Sequence, residues 1–180
     1  MAGSGTNDQP KPQDKGEMSS VPCVTFVRLL PGPIERVWEY LTDPARLPSW
    51  FGEVASIEPR RGGAVRLVNG HIRGVVTQWQ PPRRLIYTWN VFDPNDPEDA
   101  VSAYPESYPT FELEPRGDGV LLTFKHFPIL ERFIPQNAMG WHTMLEMLSA
   151  ALAGEPVKER IEYVTKNAAL YGVDLKKLAR

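Results

Sequence analysis

Several features that define large classes of proteins are scarce in this sequence or missing from it. The 180 residues include one cysteine, Cys23, which rules out an intramolecular disulfide and fits a reducing compartment. No apolar run approaches the roughly 20 residues that a membrane helix needs, and the N-terminus has no hydrophobic signal core. The formal net charge of −2 gives no reason to expect nucleic acid or an anionic membrane as a partner. We therefore expect a cytoplasmic protein.

Motifs that mark metal sites, nucleophilic enzymes and nucleotide-binding proteins are also missing. The three histidines, His71, His126 and His142, fall on separate predicted elements without HExxH or CxxC spacing, so no metal site is predicted. No GxSxG elbow, Walker motif or dinucleotide glycine pattern occurs, and no cofactor is predicted. Cys23 lies in the first predicted strand, where a small buried side chain is the usual role.

The chain divides into three parts by composition. Residues 1–20 contain almost nothing that could be buried and are predicted to be a disordered tail. Residues 21–154 carry the apolar patterns of one domain, and residues 155–180 form a helical appendix that Pro156 could begin. The appendix has a narrow apolar stripe of Val157, Ile161, Val164, Ala168 and Tyr171. We expect this stripe to pack on the domain itself, although a homodimer through it remains open.

One long helix is predicted over residues 137–153, ending at Gly154. Its large apolar residues recur at i, i+4, i+7 and i+11, which places them on one stripe: Trp141, Leu145, Leu148 and Leu152. Met144 and Ala151 widen the stripe, and three residues are predicted to lie outside it: Thr143, Glu146 and Ser149. A stripe this wide needs a partner surface.

The residues before the long helix are mostly strands. A first strand covers residues 22–30, and a helix with apolar Ile34, Val37, Trp38 and Leu41 follows it. A second short helix is predicted to begin at Asp43-Pro44 and end before Pro48. Residues 53–126 alternate between strands and turns, with a two-residue hairpin at Asn69-Gly70 and a bulge or kink at Gly74. The acidic segment 93–106 is read as a solvated loop.

Three segments of the sequence resemble a known superfamily. ERVWEYLTDPARLPSWFGE (35–53) is similar to the opening of START-like proteins, also called SRPBCC or helix-grip proteins, in the branch of activator of Hsp90 ATPase homologues. GVVTQWQPPRRLIYTWN (74–90) resembles that branch's central hairpin, and residues 110–126 with 140–154 resemble its last hairpin and closing helix. The resemblance implies an α+β helix-grip fold. In that fold a curved antiparallel sheet of six or seven strands wraps around the long C-terminal helix, and two short helices follow strand 1.

The faces that point towards the long helix are rich in aromatic residues. Strand alternation puts Tyr87 with Trp89 on one face, and Leu122 with Phe124 and His126 on another. Because a sheet bent away from one helix is hard to fill completely, we expect a cavity there that binds a small hydrophobic molecule with an acidic or carbonyl end. The predicted ligand-binding residues are Trp38, Trp50, Phe51, Arg73, Tyr87, Trp89, Phe111, Phe124, His126, Trp141 and Leu145.

Two other functions stay open beside non-enzymatic binding. An aromatase or cyclase of START-like type would need an acid–base pair in the cavity, for instance His126 with Tyr87 or His142. A chaperone ATPase activator would instead use its outer surface, although this chain lacks the length for the second domain of the eukaryotic relatives.

Overall fold

The structure is a computed structural model that describes residues 19–51, 54–93 and 101–178. Most of the predicted tail and half of the acidic loop lie outside these residues. The strands are β1 (Val24–Pro31), β2 (Ser56–Ile57), β3 (Ala64–Leu67), β4 (Ile72–Gln80), β5 (Arg84–Tyr87), β6 (Asn90–Val91), β7 (Tyr108–Arg116) and β8 (Gly119–Phe127). The helices are α1 (Ile34–Thr42), α2 (Pro48–Phe51), α3 (Ile134–Ala153), α4 (Arg160–Tyr171) and α5 (Leu175–Leu178).

The strands form one curved antiparallel sheet that packs against α3, which confirms the predicted helix-grip arrangement. The order across the sheet is β1-β8-β7-β5-β4-β3-β2, with β6 also pairing with β4. The described residues thus contain eight strands where six or seven were expected. The difference arises mainly at residues 85–91, which were predicted as one strand and are interrupted at Thr88 and Trp89.

The long helix carries the predicted apolar stripe. Trp141, Leu145, Leu148 and Leu152 are each at most 1% exposed, and the helix ends at Gly154, whose φ of 72° is the left-handed conformation that glycine favours. Thr143, which was predicted to lie outside the stripe, is 1% exposed. Its burial follows from α4, which covers that side of α3 and donates a hydrogen bond from Asn167 to the Thr143 hydroxyl.

Gly74 is a point of close backbone approach and not the predicted bulge. The register of β4 against β5 instead shifts between Val76 and Gln78. A Cβ atom at Gly74 would lie 1.9 Å from the carbonyl oxygen of Thr88, so any side chain there would collide with backbone. The absence of a side chain therefore allows β4 to lie against the segment that joins β5 to β6.

Four local predictions were wrong. The second short helix begins at Pro48, because residues 44–47 form a turn in which Asp43 accepts a hydrogen bond from the backbone of Ala45. The hairpin predicted at Asn69-Gly70 forms between β3 and β4, but residues 68–71 connect its strands through a 3₁₀ turn and not through a two-residue turn. Cys23 is exposed, since β1 begins one residue later. The appendix helix α4 begins at Arg160 and not at Pro156.

The appendix helix packs on α3 of its own chain. Asn167 is fully buried and donates hydrogen bonds to the Thr143 hydroxyl and to Oε2 of Glu146. Lys166 forms an ion pair with the same glutamate. The contact also has an apolar part. Of the predicted stripe, Ala168 is buried and Val157 and Tyr171 pack against buried apolar clusters, whereas Ile161 is 63% exposed.

Candidate functional site

The centre of the space between the sheet and α3 is filled by side chains. The rings of Phe124 and Trp141 lie 4.2 Å apart, and Phe111 packs edge-on to the same indole at 5.9 Å. The predicted site residues that belong to this packed core, each at most 1% exposed, are Trp50, Phe51, Tyr87, Phe111, Phe124, Trp141 and Leu145. These residues give α3 and the sheet a solid contact and do not line the cavity described next.

The cavity lies beside this core, near the N-terminal half of α3, and has a volume of about 670 Å³. Two of the predicted residues, Trp89 and His126, are in its wall. Most of the other lining residues are apolar: Val21, Pro22, Val68, Ile72, Val91, Tyr104, Pro105, Pro128, Ile129, Leu130, Phe133 and Met144. The polar ones are His71, Ser107, Gln136, Asn137 and Arg160. A space of this size lies within the range of small-molecule sites.

His126 is the centre of the hydrogen-bond network in the cavity wall. Its Nδ1 accepts a hydrogen bond of 2.8 Å from the indole N–H of Trp141, and the side-chain amide of Asn137 donates to the same atom at 3.0 Å. Its Nε2 lies 2.8 Å from the hydroxyl of Ser107, which in turn donates to the carbonyl of Trp89 at 3.4 Å. Because an indole N–H can only donate, the imidazole proton must lie on Nε2.

The imidazole of His126 is neutral at physiological pH. Burial lowers the pKa of His126 to about 3, although the hydrogen bond with Asn137 acts in the opposite direction. Both ring nitrogens already have partners. A substrate would have to displace one of them before this histidine could exchange a proton.

Two amide oxygens in the cavity-lining residues have no partner. Oε1 of Gln136 and Oδ1 of Asn137 are buried and accept no hydrogen bond. Buried acceptors without a donor cost free energy, which the rest of the fold must offset. Both residues lie in the first turn of α3.

The remaining predicted residues lie away from the cavity. Trp38 packs edge-on against Trp79, with ring centroids 5.0 Å apart. The guanidinium of Arg73 lies over the ring of Phe92 at 4.5 Å, and its Nε donates to the carbonyl of Gly70. The structure therefore places the predicted cation outside the cavity and a different one, Arg160, in its wall.

The acid–base pairs that an enzyme was expected to need are not formed. Tyr87 packs against Phe111 in the core, and burial raises the pKa of its hydroxyl. His142 lies at the α3–α4 contact, where its Nδ1 is 2.9 Å from the hydroxyl of Tyr171. Neither residue makes a hydrogen bond with His126 among the described residues.

Sequence reasoning missed several wall residues. Asn137 precedes Trp141 by four residues and Met144 by seven, so the helical spacing placed all three on one stripe and could have revealed the polar member. Ser107 is two residues before Pro109 at the start of β7 and carries no such pattern. No sequence signal identifies Arg160, because its position depends on how α4 docks.

The described residues contain neither a metal-binding cluster nor a membrane-spanning helix. No group of three or more histidine, cysteine or acidic side chains there could hold a metal ion. Within the same residues, no helix has the length and apolarity that crossing a bilayer requires.

The fold and the lined cavity define a helix-grip protein with a partly open cavity at one end of its long helix. The family model described as "Activator of Hsp90 ATPase homolog 1-like protein" matches residues 31–153, and the chain belongs to that family. A comparison with curated proteins gave no significant match.

Solved structures share the fold. CalU16 from Micromonospora echinospora has 25% identity and a TM-score of 0.66, with 83% of this chain and 86% of that chain covered. An Hsp90 activator from Plasmodium falciparum has 20% identity and a TM-score of 0.60, covering 76% of this chain and 99% of that one. An Aha1 dimer from Colwellia psychrerythraea has 21% identity and a TM-score of 0.59, covering 73% and 96%.

Proposed function

We propose that this protein binds a small, largely apolar molecule in the cavity beside α3 without transforming it chemically. The observation that carries the proposal is the cavity of about 670 Å³, with its apolar wall and a few polar groups. Small-molecule sites have this composition, since apolar contacts supply affinity and a few polar groups fix orientation.

Binding without catalysis is favoured by the state of His126. Both of its ring nitrogens are engaged, and its low pKa makes it a poor general base at neutral pH. A cyclase would need another group in the cavity to move protons. If incubating the protein with a molecule that it binds gives a new product, that result would contradict this part of the proposal.

The proposal is tested with the neutral dye N-phenyl-1-naphthylamine, which fluoresces in apolar surroundings. We expect saturable one-site binding, measured as a rise in dye fluorescence, because the wall of the cavity is mostly apolar. Val91→Trp places a large ring in the wall and should weaken binding at least about tenfold. Val27→Trp is the matched control, because Val27 is 55% exposed on β1. Absence of dye binding, or equal binding by both variants, would contradict the proposal.

The family description favours one second candidate, stimulation of an Hsp90-class ATPase. That activity would use an outer surface, so it does not compete physically with the cavity. The test is the rate of ATP hydrolysis by a purified Hsp90-class chaperone with increasing amounts of this protein. A rate that does not change at saturating protein argues against the candidate, whereas stimulation that survives Val91→Trp separates the two activities.

A further inference from the structure

We propose that Arg160 gives the cavity a preference for apolar ligands that carry an anionic group. Arg160 lines the cavity, yet it belongs to α4, outside the family-matched residues 31–153. The appendix therefore contributes to the wall of the cavity and determines which ligands the cavity prefers. This inference rests on the proposed binding function and goes beyond it, since it names the chemical class of the ligand and the residue that selects it.

Two sets of hydrogen bonds fix the position of Arg160, one made by its own side chain and one made further along α4. At its own end, Nη1 donates a 2.8 Å hydrogen bond to the carbonyl oxygen of Phe51 at the end of α2. Further along α4, the buried Asn167 is hydrogen-bonded to Thr143 and Glu146 on α3. A guanidinium has five N–H donors, so the bond to Phe51 leaves donors for a ligand.

Among the residues that the structure describes, no carboxylate balances the charge of Arg160 in the cavity. No aspartate or glutamate is among the described lining residues, and Arg160 is the only lysine or arginine among them. Across the described part of the chain, no carboxylate forms an ion pair with it. The positive charge is local, because the whole sequence carries a net charge of −2.

An anionic ligand group would supply the missing counter-charge. Hydrogen bonds between a guanidinium and a carboxylate or similar anion are charge-assisted and roughly twice as strong as neutral ones. The apolar residues of the wall lower the local polarity around the guanidinium, which strengthens the attraction further. The ligand that fits both features has an apolar body in the aromatic part of the cavity and one negative group near Arg160.

The test compares two dyes with the same skeleton. N-phenyl-1-naphthylamine is neutral, and 8-anilino-1-naphthalenesulfonate is the same molecule with one sulfonate. Dissociation constants of both are measured for the wild type, Arg160→Gln, Arg160→Lys and Lys158→Gln. Lys158 is the matched control. It lies two residues before Arg160, its side chain is 67% exposed, and Lys158→Gln removes the same single positive charge.

We expect Arg160→Gln to weaken the sulfonate dye about tenfold or more and to leave the neutral dye within about twofold. Arg160→Lys should retain most of the sulfonate affinity, and Lys158→Gln should change neither dye. Unchanged binding of the neutral dye also reports that the cavity of Arg160→Gln is intact.

Two results overturn the inference. If Arg160→Gln weakens the binding of both dyes equally, Arg160 has a purely structural role. If it leaves the affinity for the sulfonate dye unchanged, Arg160 does not select the ligand. In both cases the cavity still binds the neutral dye in the wild type, so the proposed function stands. If neither dye binds the wild type, the proposed function fails first, and this inference fails with it.

Discussion

The indole N–H of Trp141 donates a 2.8 Å hydrogen bond to Nδ1 of His126, and both side chains are 1% exposed. This bond joins α3 to β8 at the boundary between the packed core and the cavity. The same indole contacts Phe124 and Phe111 on the sheet. Trp141 thus anchors the helix through apolar packing on one side and fixes the tautomer of a buried histidine on the other.

Replacing this indole tests the two contributions separately. Trp141→Phe keeps an aromatic ring but removes one of the two donors to Nδ1 of His126, while Asn137 remains, so loss of this hydrogen bond should lower the free energy of unfolding by about 0.5–1.5 kcal/mol. Trp141→Ala also removes the ring and should cost about 3–5 kcal/mol. Urea unfolding measures both. Trp79→Phe, at a partly buried indole, is the control, and a Trp141→Phe variant as stable as the control would contradict the role of the hydrogen bond.

The buried neutral imidazole of His126 predicts a dependence of stability on pH. Its pKa is about 3 in the folded protein and near 6.5 when unfolded. Below about pH 6.5 the unfolded chain therefore binds a proton that the folded protein does not, and protonation favours unfolding. Stability should be complete above about pH 7 and fall as pH decreases towards 3, by up to about 5 kcal/mol over the window.

The variant that isolates this effect is His126→Gln, whose amide can accept from Trp141 and donate to Ser107 without titrating. Urea unfolding at several pH values should show a smaller decrease in this variant between pH 6.5 and 3, whatever its stability at pH 7. Parallel curves for the variant and the wild type would assign the pH dependence to other groups.

A pair of glycine substitutions should have opposite effects. Gly74→Ala would place a Cβ atom 1.9 Å from the carbonyl oxygen of Thr88, and backbone must move to relieve it, so we expect a loss of at least about 3 kcal/mol. Gly140→Ala lies within α3 with nothing within 4 Å of the new atom. There we expect a gain of about 0.5–1 kcal/mol, because alanine has the higher helix propensity. Thermal unfolding of the two variants gives the sign directly.

The docking of α4 should depend on Asn167. Asn167→Ala removes the donor to Thr143 and Glu146, and we expect a loss of about 1–3 kcal/mol. Hydrogen exchange should show faster exchange in residues 160–171 and little change in the sheet. Lys158→Ala, at an exposed residue of the same appendix, is expected to stay within about 0.5 kcal/mol of the wild type. Unchanged protection of α4 in Asn167→Ala would mean that other contacts hold it.

The fold could be predicted because periodicity reports burial. The stripe that begins at Trp141 and the inward face that ends at His126 follow from spacing alone, and a sheet against one helix satisfies both. Thr143 is buried although it lies outside the apolar stripe, because the residue that covers it is polar. Asn167 lies 24 residues away in sequence and recognises a hydroxyl, which no hydrophobic pattern records.

The sequence predicted that a cavity lies between the sheet and the long helix, but not where along the helix it lies. Alternation identified Trp89 and His126 as inward-facing, but it could not show that Trp50, Phe51 and Trp141 fill the centre of the same space. Whether aromatic rings enclose a void or fill it depends on how side chains from distant elements fit together. Arg73 lies over the ring of Phe92 and away from the cavity, whereas Arg160 enters the wall from a helix whose docking the sequence does not encode locally.

The residues that line the cavity also determine how shortened forms of this protein should be designed. Val21, Pro22 and Arg160 all line it, and all three fall outside residues 31–153. An expression clone trimmed to the family boundaries would keep the long helix but lose nearly all of β1 (Val24–Pro31) from the sheet, together with the wall residues on two sides of the cavity. Ligand screens on such a fragment would sample a wider, uncharged opening, and their hits would not transfer to the intact chain.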